Sequence, residues 1–141
     1  QRYCTSDIVL CGGHKKDKPI LKFCHRKGIT SDMVGEKLTE DFVSGILVHY
    51  CEFVMLVPHK DALCYSLVIE KNSTISKTVI EKELLKNPQY RYAREFGQLG
   101  DLEMLEMQNP MQIYIDKMVS VGKRIGDIKI PFLCQDDRWL K

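Results

Sequence analysis

Two ionisable residues occupy positions where a charge is costly unless something receives it. Asp7 sits inside the run Ser6-Asp7-Ile8-Val9-Leu10. A carboxylate within a strand is unfavourable unless it points at solvent or at a ligand hydroxyl. Lys129 sits between Ile128 and Ile130-Pro131. A long cation projecting from a rigid, apolar-flanked segment has the posture of a phosphate-contacting lysine, and also that of an ordinary surface lysine. Cys11-x-x-His14, with Cys24 and His25 nearby, offers ligands that suit zinc. The second ligand pair that a structural zinc site draws from another tight turn is missing, so no metal site is assigned. Gly12-Gly13 is too short to cradle a phosphate, and neither the P-loop pattern, the dinucleotide-binding glycine pattern nor a nucleophile elbow occurs. Tyr3, Tyr90 and Tyr92 with Arg2, Arg91 and Arg94 could stack on bases, but no RNP-type run accompanies them, and they read as core and surface charge.

The elements that must position these groups follow from hydrophobic spacing. Residues 2–10 read as a strand, Cys11-Gly12-Gly13-His14 and the lysines after it as a turn, and residues 20–25 as the returning strand. Residues 34–38 form a short extended piece. Thr39 then caps a helix with Glu40 and Asp41 in its first turn, whose stripe is Phe42, Val43, Ile46, Leu47 and Tyr50. Phe53 to Val57 and Cys64 to Ile69 are the expected central strands, close enough to form a hairpin. Ser76 caps a helix carrying Val79, Ile80, Leu84 and Leu85. Asn87-Pro88 starts another, which Gly97 closes. Leu102 to Met107 is a further strand. Asn109-Pro110-Met111-Gln112 has the capping-box pattern before a helix whose apolar face is Ile113, Met118, Val119 and Val121. Residues 126–131 turn into a short extended segment, and the tail looks peripheral apart from Trp139. Strands and helices mix without a strict βαβ rhythm, so the expected class is α+β, a small mixed or antiparallel sheet with helices packed mainly on one face.

The whole-chain numbers agree with one folded unit. The sequence has 141 residues, 44% hydrophobic and 28% charged, with only five prolines and nine glycines. That composition excludes disorder and fibrous repeats. A net charge of +2 leaves no electrostatic footprint for nucleic acid or an anionic membrane. The sign is uneven, however. Residues 1–37 hold eight Lys or Arg against four Asp or Glu, so an anionic ligand is expected in the N-terminal quarter. The longest apolar run, Phe53 to Val57, is far below the roughly 20 residues of a membrane helix. Six cysteines without a Cys-x-x-Cys spacing suit reduced, mostly buried thiols in a cytoplasmic protein. The opening Gln-Arg-Tyr-Cys reads as the start of a fragment or processed piece.

Six blocks in fixed order carry a resemblance. They are Arg2-Tyr3-x-x-x-Asp7-x-Val9, Pro19-x-Leu21-x-Phe23-x-x-Arg26 and Ser31-Asp32-x-Val34-Gly35-Glu36-Lys37-Leu38, then Asn87-Pro88-x-Tyr90-x-x-Ala93-Arg94, Gly97-Gln98-Leu99-Gly100-x-Leu102 and Gly126-Asp127-x-Lys129-x-Pro131. Together they resemble the C-terminal lobe of the auxin-responsive acyl-acid amido synthetases, bacterial-type members above all, within the adenylate-forming superfamily. The ordered series is far more specific than any single block and covers nearly the whole chain.

The resemblance implies a two-step ligase that uses ATP, with Mg2+, to adenylate a small carboxylic acid and then joins the acyl group to an amino acid's amine. It implies residues 1–30 as a strand pair and hinge leading from a missing N-terminal adenylation domain, and residues 31–141 as the lobe that closes over the nucleotide. In that scheme Asp7 accepts hydrogen bonds from the ribose hydroxyls and Arg26 supports the nucleotide. Lys27 and Gly28 form the pivot, and Lys129 stabilises charge on the α-phosphate and carboxylate as the adenylate forms. Ser6 departs from the glycine usual before the Asp. The alternative is a non-catalytic α+β interaction or regulatory module derived from such a lobe.

Overall fold

The computed structural model describes residues 7–26, 28–50, 52–135 and 137–141, and the side chains of all of these except 8–10 and 22–26 together with those of Asp7. The chain begins with an antiparallel hairpin of β1 (Asp7–Lys15) and β2 (Lys18–Arg26). The turn expected over Cys11 to Pro19 narrows to two residues: 11–15 belong to β1, interrupted by a register shift between Cys11 and His14 where Gly13 takes φ +138°, and Lys18 and Pro19 already belong to β2. A bulge glycine absorbs the irregularity there. The reversal falls at Lys16 and Asp17, both at positive φ (48° and 60°). Two central residues with positive φ match the right-handed twist of the flanking strands, a demand more commonly met by Asn-Gly.

A two-residue pair, β3 (Thr30–Ser31) with β4 (Leu38–Thr39), frames a tight loop where an extended piece was expected at 34–38. The reason is Gly35 at φ +103° and Lys37 at φ 42°, which turn the chain. Helix α1 (Glu40–Leu47) starts at Thr39, whose Oγ1 accepts from the Phe42 N–H at 3.3 Å. Strands β5 (Val54–His59) and β6 (Cys64–Glu70) pair antiparallel, and β7 (Glu103–Met107) adds parallel to β6 after α2 (Lys77–Leu84) and α3 (Pro88–Glu95). The sheet is therefore mixed, and a single bridge from Leu133 to Leu56 extends it beyond β5.

Side chains of β5 and β6 divide between two cores. Val54, Leu56, Tyr65, Leu67 and Ile69 meet α1, α2 and α3 through Val43, Leu47, Ile80, Leu84, Tyr90 and Ala93. Met55, Val57 and Val68 face the other way, toward Tyr114 of α4 (Pro110–Ser120) and Trp139 in a 3-10 turn (Arg138–Leu140). Covered on both faces, the two strands read as continuous apolar runs rather than alternating ones. Of the four α-helices among the described residues, α1, α2 and α3 share one face, and the class is α+β as expected.

Helix α4 departs from its sequence signals. Asn109 is at φ 53° and makes no side-chain cap, so the capping box is not formed, and the Gln112 amide donates to Asp116 at 2.8 Å instead. Pro110 and Tyr114 are the buried residues of α4, with Met118 packed beside them, while Ile113, Val119 and Val121 are exposed. The buried line runs at steps of four from Pro110, set by the docking of Tyr114 on Trp139 at 5.3 Å between ring centroids. Val79 likewise faces solvent on α2. No helix among the described residues is long and apolar enough to cross a membrane.

Candidate functional site

The segment bearing Lys129 is fixed on both flanks. A 3-10 turn (Ile125–Asp127) delivers the chain to Ile128, and Ile128 and Ile130 both pack against the core of Phe53, Met55, Tyr114 and Trp139. Two apolar anchors in an extended stretch send the residue between them the opposite way, and Lys129 is exposed. Just downstream, the Leu56 N–H donates to the Phe132 carbonyl at 2.7 Å and the Cys134 N–H to the Leu56 carbonyl at 2.8 Å, which ties the segment to β5. The ammonium is thus mounted on a backbone with little freedom.

In the hairpin the register sets Asp7 directly opposite Arg26, with an irregularity immediately after, between Ile8 and Val9. The backbone thereby brings together the two residues that the resemblance assigns to the nucleotide. Lys27, the first of the expected pivot pair, lies outside the described residues. Gly28 is exposed, and a side chain there would make ordinary contact with Glu40, 3.6 Å from its Cβ. The Glu40 N–H donates to the Ile29 carbonyl at 2.8 Å, so the chain just after Gly28 is held against the start of α1.

A buried group that sequence reasoning passed over supports this region. Glu36 is wholly buried, and its carboxylate accepts from the Met33 N–H at 2.9 and 3.0 Å and from the Val34 N–H at 2.9 Å. The Tyr65 hydroxyl donates to the same carboxylate and lies 2.6 Å from the Ser31 hydroxyl. Asp32 closes the loop by accepting from the Gly35 N–H at 2.8 Å. The signal was present in Ser31-Asp32-x-Val34-Gly35-Glu36, where short acceptors bracket a glycine that must turn. Burial, then the proton held toward Glu36, push the Tyr65 phenol well above its ordinary range. This is a clamp on the β3–β4 loop rather than reactive chemistry.

A second clamp joins α2, α3 and the loop after it. Arg94 Nε donates to Glu81 at 2.9 Å, Nη1 to the Leu99 carbonyl at 2.9 Å and Nη2 to Asp101. The exposed Asp101 carboxyl is held below its usual range by that guanidinium. Asn87 Oδ1 accepts from the Gln89 and Tyr90 N–H groups, so Asn87-Pro88 starts α3 as its sequence dictates. Cys64 and Cys134 carry buried thiols and Cys11 an exposed one. Among the described residues no group of three or more His, Cys, Asp or Glu could hold a metal ion.

Residues 33–138 match the family model described as the GH3 family C-terminal domain. Among solved structures the chain is similar to a GH3.15 acyl acid amido synthetase, with a TM-score of 0.64 at 15% identity over 96% of this chain and 29% of that one. It is also similar to AtGH3.15 acyl acid amido synthetase in complex with 2,4-DB, with a TM-score of 0.59 at 16% identity over 96% of this chain and 28% of that one. At such identities the likeness is one of fold. The chain spans less than a third of the length of these structures. No curated protein matches it.

Proposed function

Since this chain belongs to the GH3 family and carries its C-terminal domain, we propose that it serves as the closing lobe of an ATP-dependent acyl-acid amido synthetase. A carboxylic acid and ATP give an acyl-adenylate and pyrophosphate. The amine of an amino acid then attacks the acyl carbon and displaces AMP. The partner of the lobe is an N-terminal adenylation domain that holds the acid and the triphosphate, and residues 1–30 supply the strand pair and hinge between the two, with Lys27 and Gly28 at the pivot. Asp7, Arg26 and Lys129 are one carboxylate and two cations, a donor set that suits a ribose diol and a phosphate chain. Mg2+ enters with the nucleotide. The cytoplasm, where ATP is plentiful and thiols stay reduced, is the proposed location.

The observation that carries this reading is the mounting of Lys129. An exposed ammonium on an anchored backbone is preorganised, so it meets developing charge without reorganisation at the moment of reaction. Removing it should therefore slow adenylation more than it weakens binding. In the protein carrying both domains, Lys129→Ala is expected to lower kcat for acid-dependent ATP–pyrophosphate exchange by roughly 10² to 10³, with KM changed far less. Lys129→Arg should rescue poorly, because a planar fork cannot replace a compact point charge. Amide formation from synthetic acyl-adenylate should be hit less than adenylation, since the charge Lys129 meets has already formed. Exchange at the unmodified rate in the alanine variant would transfer the reading to a non-catalytic module.

A further inference from the structure

Beside α4 lies a cleft of about 290 Å³ whose walls include Tyr114, Met118, Pro131 and Trp139. The volume is near the lower end for small-molecule sites, and the walls are mostly apolar, as such sites are. Its charged lining is of one sign: Lys117, Lys123 and Arg138, with no carboxylate among the described residues that line it. Lys117 is half-buried and Lys123 exposed, so two cationic side chains border the apolar walls. Apolar walls under a cationic mouth select a ligand with an apolar body and one anionic end.

We propose that this cleft is a binding site for a small organic carboxylate, its hydrocarbon against Tyr114, Met118 and Trp139 and its carboxylate toward Lys117 and Lys123. The proposal is independent of the ligase reading, because the cleft lies wholly within this chain and neither Lys129 nor the Asp7–Arg26 pair lines it.

Trp139 is the single tryptophan of the sequence, so its fluorescence reports on the cleft directly. Octanoate, titrated into the chain, is expected to give a saturable change in tryptophan emission with half-saturation below about 1 mM. Octanol, which keeps the hydrocarbon and loses the charge, should bind at least about tenfold more weakly, and acetate should give no saturable change, since both halves of the ligand contribute. The double variant K117Q/K123Q removes two charges while keeping polar side chains, and should keep its thermal midpoint. It is expected to lose about tenfold in octanoate affinity while octanol binding stays as it was. No saturable change with octanoate, equal binding of octanol, or unaltered octanoate affinity in the double variant would each overturn the site.

Discussion

Glu36 and Tyr65 show how much of this chain's stability rests on single polar groups. Glu36 is wholly enclosed, yet its two oxygens accept from two backbone N–H groups and a phenol, so its burial is tolerated. Tyr65→Phe removes one donor and leaves the carboxylate under-satisfied. It is expected to lower unfolding free energy by about 1–3 kcal/mol in urea titrations, with the m-value unchanged. A loss well under that range would mean that water or Ser31 replaces the phenol. Lys129 belongs to the same scale but to the opposite class. It makes no stability demand, and Lys129→Ala should leave the thermal midpoint within about 2 °C while it slows adenylation.

Among the elements, α4 carries the sharpest local conflict. Its sequence offers a capping box, but Asn109 sits at φ 53° without a side-chain cap. The left-handed backbone is what Asn tolerates and Gly prefers. Asn109→Gly is therefore expected to stabilise by about 0.5 kcal/mol, read as a rise in thermal midpoint. At an ordinary extended N-cap the same change would cost a few tenths of a kcal/mol, so the sign of the shift separates the two geometries. The tail is an element in function, not an afterthought. Trp139 meets Phe53 and Tyr114 edge-on, and Asp137 Oδ2 lies 3.2 Å from His59 Nδ1 at the end of β5. Trp139→Ala should cost about 3–5 kcal/mol and, by freeing the partners of Ile128 and Ile130, loosen the mount of Lys129.

At the scale of the molecule, the two cores and two polar clamps set the pH range. Burial raises the Tyr65, Tyr90 and Cys64 groups above their ordinary values of 10.0, 10.0 and 9.0. Each raised acid keeps its proton longer in the folded state than in the unfolded chain, so its contribution is complete below the unfolded value and is lost as pH rises through the folded one. Stability should hold up to about pH 9 and fall above it, and Tyr65→Phe should flatten the alkaline limb in a series of thermal midpoints. On the acid side, the Lys141 ammonium lowers the Asp137 carboxyl, so that contribution is present above 3.8 and is lost as pH falls through the folded value. The 141 residues by themselves should show no ATP–pyrophosphate exchange, since they contain no loop pattern able to cradle a triphosphate.

Strand and helix positions were legible in the sequence wherever local chemistry and packing agree. The run Phe53 to Val57, its partner Cys64 to Ile69, the Thr39 cap and the Asn87-Pro88 start all appear where their residue types put them. So do the exposure of Lys129 between two apolar neighbours and the pairing of two segments around Asp7 and Arg26. What could not be read locally depended on residues far apart in sequence. The hairpin reverses at Lys16-Asp17 because strand pairing extends through Gly12-Gly13 to Lys15, and no local preference of a glycine pair reveals that pairing. Helix α4 turns Tyr114 inward because Trp139 waits there, and Glu36 is buried because Tyr65, nearly thirty residues on, supplies its donor. Backbone preference acts over a few residues. Which face is buried, and which charge is paired, is fixed only when distant segments meet.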